Sequence, residues 1–284
     1  PADVQAKLKE LGIGKLPEAS IPVDHIHLRL DGDPHETAVV KWRDTAGRTQ
    51  SGYTPEFHKR NAAKKWKRIV AFIDDHPKIV NGIVAKLKKT EPGSVEHQGA
   101  LIASIVAKTG LRPGSAKMLE GHHGVATLLS SHVKIDGSKI SIEFVGKQGK
   151  TNTATIHSKA IAEALAHYKR GGNLRNKPMF ESKALVVARA TPPKGLMLKD
   201  LRTIKATREA MRVLDSVVVP PPLTGDRGKD KRLLAKALLD ASKHVAKLIN
   251  NSPAVARSSY VHPEVFKKWA IDRAGADPKL WEEV

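Results

Sequence analysis

Apolar positions fall into two regimes along the chain. His25-Ile26-His27-Leu28-Arg29-Leu30 alternates polar and apolar residues, as a half-buried strand does. Thr37 to Trp42 predicts a second strand, and Arg48 to Tyr53 a third beyond a turn at Ala46-Gly47. The first fifty-odd residues therefore read as a small antiparallel sheet. From Glu56 to Asp74 the period lengthens: Ala62, Trp66, Ile69, Val70 and Phe72 share one face of a helix whose other face is basic. Pro77 ends that helix or opens the next, which carries Ile79, Ile83, Val84 and Leu87. His97 to Thr109 predicts a further helix, with Gly110 as its cap.

A second strand-like zone follows. Val133 and Ile135, the turn Asp136-Gly137, and Ile140, Ile142 and Phe144 read as a hairpin. Gly146-Lys147-Gln148-Gly149 forms another turn before a third strand over Thr151 to Ile156, and Ser158 to Tyr168 is helical. Pro220 to Gly228 reads as an irregular loop or mobile tether. A long amphipathic helix then carries Leu234, Leu238, Ala241, Val245, Leu248 and Ile249. Ser252 as cap and Pro253 as first residue start a short helix that puts Tyr260 at its far end. The expected fold class is α+β: a small β-rich N-terminal domain over residues 1–74, and a mainly helical domain with a three-stranded antiparallel sheet over 75–284.

Charge narrows the class of partner. The 284 residues hold 49 Lys and Arg against 29 Asp and Glu, a net +20, which points to a polyanion, most often nucleic acid. With no cysteine, disulfides, thiolate zinc sites and cysteine nucleophiles are excluded. The 13 histidines include His25-x-His27 and the adjacent pair His122-His123, but neither has a metal-binding helical spacing with a matching acid. No apolar run approaches the roughly 20 residues of a membrane span, and the opening Pro1-Ala2-Asp3-Val4 shows no secretion signal. The expectation is a soluble, unsecreted protein of a nucleic-acid-containing compartment.

Tyr260, one of three tyrosines in so basic a chain, is a candidate nucleophile for a phosphodiester. Cleavage there without a metal needs fixed cations on the nonbridging oxygens and a proton source for the leaving oxygen. Arginine suits the first task through its bidentate fork, and lysine suits the second. Arg112 lies between two glycines in Thr109-Gly110-Leu111-Arg112-Pro113-Gly114-Ser115. Lys147 lies at a hairpin tip, and Arg202 at the start of a helix in Lys199-Asp200-Leu201-Arg202-Thr203.

Taken in order, Arg112, Lys147, Arg202 and the run Ser252-Pro253-Ala254-Val255-Ala256-Arg257-Ser258-Ser259-Tyr260-Val261-His262-Pro263 resemble the type IB DNA topoisomerases of the poxvirus-like and bacterial branch. Gly124-Val125-Ala126-Thr127-Leu128, and Arg43 to Gln50 through Tyr53, are similar to the same family. The resemblance implies a monomer that clamps double-stranded DNA, with no cofactor and no obligatory protein partner. It implies that Tyr260 forms a 3′-phosphotyrosyl link, Arg112 and Arg202 hold the nonbridging oxygens, and Lys147 protonates the 5′ oxygen. Asn251, where some members have histidine, would donate a neutral hydrogen bond to the phosphate. Arg48, Gln50, Tyr53, Lys150 and Lys199 would contact DNA. A tyrosine recombinase shares the order but usually has histidine where Lys199 stands; a basic DNA-binding protein without chemistry is the remaining alternative.

Overall fold

The computed structural model describes residues 2–14, 17–18, 20–29, 31–45, 47–115, 121–170 and 177–282. It divides into two compact units, Pro1–Arg68 and Ile69–Val284.

The N-terminal unit begins with helix α1 (Ala2–Glu10) and contains the antiparallel sheet β1 (Ile26–Leu28), β2 (Val40–Arg43) and β3 (Thr49–Gly52). Ile26 pairs with Trp42, and Trp42 with Gln50. Leu30 and Ala46, expected in a strand and a turn, lie outside the described residues. Val40 and Trp42 point to one side of β2 and build a small core with Leu8, Ile13, Ile21 and Val39. Helix α1 enters this core through its last turn. The Ile13 N–H reaches back to the Leu8 carbonyl at 3.0 Å, so that both side chains dock together. The unit is therefore not β-rich as expected: α1 has 9 residues and α2 (Pro55–Val70) has 16, against strands of three and four. The largely polar α1 carries too few core residues to announce itself by periodicity.

In the second unit α3 (His76–Ala85) has Pro77 in its first turn, and α4 (Val95–Thr109) is buried over nearly its whole length. Gly110 closes α4 in the left-handed conformation at φ 73°, as its glycine suggested. The second sheet is β4 (Val133–Asp136), β5 (Lys139–Val145) and β6 (Thr151–His157), antiparallel in sequence order. Ile140, Ile142 and Phe144 alternate onto the buried face of β5, while Glu143 and Val145 face out. The hairpin and third strand expected from the alternation are all present.

The remaining helices are α5 (Lys159–Arg170), α6 (Ala184–Ala190), α7 (Leu198–Ser216), α8 (Arg227–Leu248), α9 (Pro253–Tyr260), α10 (Pro263–Asp272) and α11 (Pro278–Trp281). Helices α7 to α10 share one core that includes Ala210, Val213, Leu238, Val245, Ala256 and Trp269. The presumed tether needs correction at its C-terminal end. Arg227 and Gly228 form the first turn of α8, because the Asp226 carboxylate caps the Lys229 N–H at 2.8 Å. The buried Asp230 carboxylate draws the preceding loop inward, accepting from the Thr224 N–H at 2.7 Å and the Gly225 N–H at 3.0 Å.

Candidate active site

Arg202 is the centre of the site. It lies in the second turn of α7, where the Asp200 carboxylate caps the Met197 N–H at 3.0 Å. Its side chain is only 2% exposed. Nη1 donates to the Gly110 carbonyl, and Nη2 donates to the Ile249 carbonyl at 2.5 Å. Both carbonyls sit at helix C-caps, those of α4 and α8. The guanidinium therefore meets the negative ends of two helices, which offsets part of its desolvation. Nε is buried and has no hydrogen-bond partner.

The Tyr260 ring packs against this guanidinium, with its centroid 4.7 Å from Cζ. Burial pulls the Arg202 pKa below the ordinary arginine value; Tyr260 opposes that shift, and the nearby charge of Arg112 adds to it. The end of α9 is pinned from α7 by Thr207. Its buried hydroxyl donates to the Tyr260 carbonyl at 3.2 Å and accepts from the His262 N–H at 3.2 Å. Thus Tyr260 is held beside Arg202 through both its ring and its backbone. Ser252 caps α9, accepting from the Val255 N–H, as its position suggested.

Arg112 follows the Gly110 cap on a segment without regular secondary structure. The Arg112 carbonyl accepts from the Val125 N–H at 3.0 Å, and the Pro113 carbonyl from the Ala126 N–H at 2.9 Å. At this crossing the Gly114 and Gly124 backbones touch; a Cβ on Gly124 would lie 2.5 Å from the Gly114 Cα. Glycine is needed here for close approach.

Asn251 sits just past α8. Its N–H bonds the Ala246 carbonyl at 2.9 Å and its Oδ1 accepts from the Ser252 N–H at 3.1 Å. Its Nδ2 is buried without a partner. Lys147 and Lys150 are exposed at the tip between β5 and β6, and Lys199 is exposed in the first turn of α7. The structure therefore brings Arg112, Arg202 and Tyr260 together and places Asn251 two residues from a carbonyl that Arg202 holds. It shows no contact from Lys147 to that group.

In the N-terminal unit, Arg48 and Gln50 converge on one carboxylate. Arg48 Nε donates to Asp44 at 2.8 Å and Gln50 Nε2 at 2.6 Å. The Arg48 backbone N–H, then the two side chains, hold Asp44 below its usual pKa. Tyr53 stacks on Phe57 with centroids 4.2 Å apart. Among the described residues no three His, Cys, Asp or Glu side chains group as a metal site would, and no helix is long and apolar enough to cross a membrane. His123 instead bonds the Thr127 carbonyl at 2.7 Å, and His262 caps α10.

The model of the family described as eukaryotic DNA topoisomerase I, catalytic core, matches residues 54–282. The chain belongs to the type IB DNA topoisomerases. It is thus an enzyme, an isomerase that acts on DNA topology. It is 24% identical over 268 residues to the DNA topoisomerase 1B of Acanthamoeba polyphaga mimivirus, covering 88% of this chain and 77% of that protein. The matched family segment contains every residue of the Arg202 cluster, whereas the sheet of the N-terminal unit precedes it. Two residues of the site escaped the sequence reading, Thr207 and Asn250. Thr207 gives no signal in sequence, being one threonine on a long helix. Asn250 does, since asparagine directly after a helix is a common left-handed terminator.

Proposed function

We propose that this topoisomerase relaxes supercoiled duplex DNA by cutting one strand through Tyr260, letting the free end rotate, and resealing. The Tyr260 hydroxyl gives up its proton to water as Oη attacks the phosphorus, the bond from phosphorus to the 5′ oxygen breaks, and a 3′-phosphotyrosyl link forms. The 5′ oxygen leaves with a proton from Lys147. Arg202 Nε, Asn251 Nδ2 and Arg112 take the nonbridging oxygens, where negative charge gathers in the transition state. Two observations support this assignment: both buried donors lack a protein acceptor, and one belongs to the guanidinium that carries the tyrosine ring. A buried unpaired donor is costly unless a ligand satisfies it.

The phosphotyrosyl bond conserves the broken phosphodiester, so resealing reverses the first step without ATP, and the fixed arginines supply the charge that an obligatory metal would otherwise bring. Residues 75–284 carry this chemistry. Residues 1–74 grip the duplex through Arg48, Gln50 and Tyr53, with Lys150 and Lys199 adding contacts from the catalytic part. The chain acts on DNA as a monomer, in the cytoplasm or nucleoid. Relaxation of positive and negative supercoils in EDTA, without ATP, is the test. Tyr260→Phe should bind DNA and give no covalent adduct after rapid denaturation. Strict dependence on Mg²⁺ or ATP, or a full adduct yield from the mutant, refutes the scheme.

A further inference from the structure

The lysine hairpin stands apart from the Arg202 cluster, yet both its arms are tied to segments that carry the cluster. On β5, the Val145 carbonyl accepts from the His123 N–H at 2.8 Å. His123 begins the stretch whose Val125 and Ala126 N–H groups hold Arg112 and Pro113. On β6 a tie is made by the side chain of Asn250. Asn250 Oδ1 accepts from the Thr153 N–H at 3.1 Å, and Asn250 Nδ2 donates to the Thr153 carbonyl at 3.0 Å.

The geometry of this second tie follows from three features. β6 is an edge strand, since the sheet order is β4, β5, β6. Its outward N–H and C=O groups lack a neighbouring strand. A primary amide offers one acceptor and one donor, as a peptide group does, so Asn250 stands in for one residue of a fourth strand. Its backbone makes this possible. Asn250 has φ 49°, in the left-handed region that asparagine enters more readily than most residues. The Asn250 N–H reaches the Lys247 carbonyl at 3.4 Å, and the Asn251 N–H reaches that of Ala246 at 2.9 Å. This terminator of α8 turns Asn250 outward to β6 and leaves Asn251 with its unpaired donor.

We propose that Asn250 is a positioning residue for the cleavage step, fixing the Lys147 hairpin against the turn that carries Asn251 and leads into the helix ending at Tyr260. The inference rests on the reading of Lys147 as proton donor. Asn250 touches no reacting atom. It sets where the ammonium stands relative to the 5′ oxygen, and proton transfer demands hydrogen-bond distance. With the clamp gone, β6 keeps its pairing with β5, but the hairpin loses its tie to the end of α8 while the Arg202–Tyr260 contact stays intact.

Asn250→Gly is the informative change, because glycine keeps the left-handed backbone and removes only the amide. Single-turnover cleavage is measured on two duplexes that differ at the scissile bridge, one with the ordinary 5′ oxygen and one with 5′ sulfur. A thiolate leaves without a proton, so the sulfur duplex bypasses the donor. Asn250→Gly should cut the oxygen duplex about ten- to a hundred-fold more slowly than wild type. It should cut the sulfur duplex at the wild-type rate and bind DNA with unchanged affinity. Hydrogen exchange at the Thr153 amide should be slow in wild type, where Asn250 accepts its hydrogen bond, and fast in Asn250→Gly. Equal slowing on both duplexes, no slowing on either, or a Thr153 amide that stays protected overturns the inference. Lys147→Ala separates this failure from a wider one. If that variant is slow on both duplexes, the proton-donor reading itself fails; if sulfur rescues it and does not rescue Asn250→Gly, only the role of Asn250 falls.

Discussion

Gly124→Ala tests whether the glycine crossing sets the position of Arg112. Gly124 has φ −136°, extended backbone that alanine adopts without strain, so the substitution acts through bulk alone. The added methyl would lie 2.5 Å from the Gly114 Cα, 2.7 Å from its N and 3.0 Å from the Pro113 carbonyl carbon. All three atoms are backbone, and none can rotate away. Ordinary carbon contact begins near ~3.5 Å, so the crossing must open by about 1 Å. Arg112 lies one residue before Pro113 on the segment that would move. Overpacking of this kind costs about 1–3 kcal/mol of stability. A displacement near 1 Å at a reacting group lowers rates by roughly 10²-fold. Adduct formation under excess enzyme should therefore slow about a hundredfold, while anisotropy with labelled duplex shows unchanged affinity. A folded Gly124→Ala protein that cleaves at the wild-type rate refutes the reasoning: either the crossing does not place Arg112, or Arg112 does not act on the phosphate.

Arg202→Ala should slow cleavage by on the order of 10²–10³, as loss of a single oxyanion donor does, and should also lower the melting temperature because the C-caps of α4 and α8 lose their shared donor. Thr207→Val keeps the shape but leaves the Tyr260 carbonyl and His262 N–H without their bridge; a loss of about 1–3 kcal/mol in denaturant unfolding is expected. His76 supplies a pH dependence: burial first, then Lys205, Arg208 and Lys108, push its pKa down to about 4. Below pH 6.5 the unfolded chain takes up a proton that the native imidazole refuses until about 4, so stability falls as pH drops through that window, by up to roughly 3 kcal/mol. His76→Leu should flatten the melting temperature between those two pH values, and an unchanged slope would mean that other groups carry it. DNA affinity should fall steeply and log-linearly with salt, since the +20 chain releases counterions on binding; a flat salt response would deny that electrostatic footprint.

What the sequence showed of the fold tracks how much of each element is fixed by its own periodicity. The second sheet was legible because Ile140, Ile142 and Phe144 alternate without interruption and the turn Asp136-Gly137 has glycine at φ 56°. α9 was legible because Ser252 and Pro253 are local start signals that act whatever surrounds them. Helix α1 failed that test, since its place depends on a docking of Leu8 and Ile13 that only the folded unit provides. The start of α8 failed for the opposite reason. Glycine and proline in Pro220 to Gly228 signalled a loop strongly enough to hide the Asp226 cap, and Gly228 costs a helical first turn little once that cap and Asp230 are in place.

The site divides along a similar line. Arg112, Arg202 and Tyr260 could be proposed because their order along the chain resembles that of the type IB topoisomerases; phosphate chemistry explains the residue types but does not pick two arginines out of 49 basic residues. What holds them in place could not. Arg202 is positioned by two backbone carbonyls, Gly110 and Ile249, that are 92 and 47 residues away along the chain. A carbonyl is the same in every residue, so sequence carries no mark of such a partner. The same holds for the Tyr260 carbonyl on Thr207 and the Thr153 peptide on Asn250. The supports of this site are mostly side chains bound to backbone. It follows that substitutions at Gly110 or Ile249 that preserve the backbone should leave the arginine in place, whereas changes that move the caps of α4 or α8 should disturb catalysis without touching any residue of the reacting set.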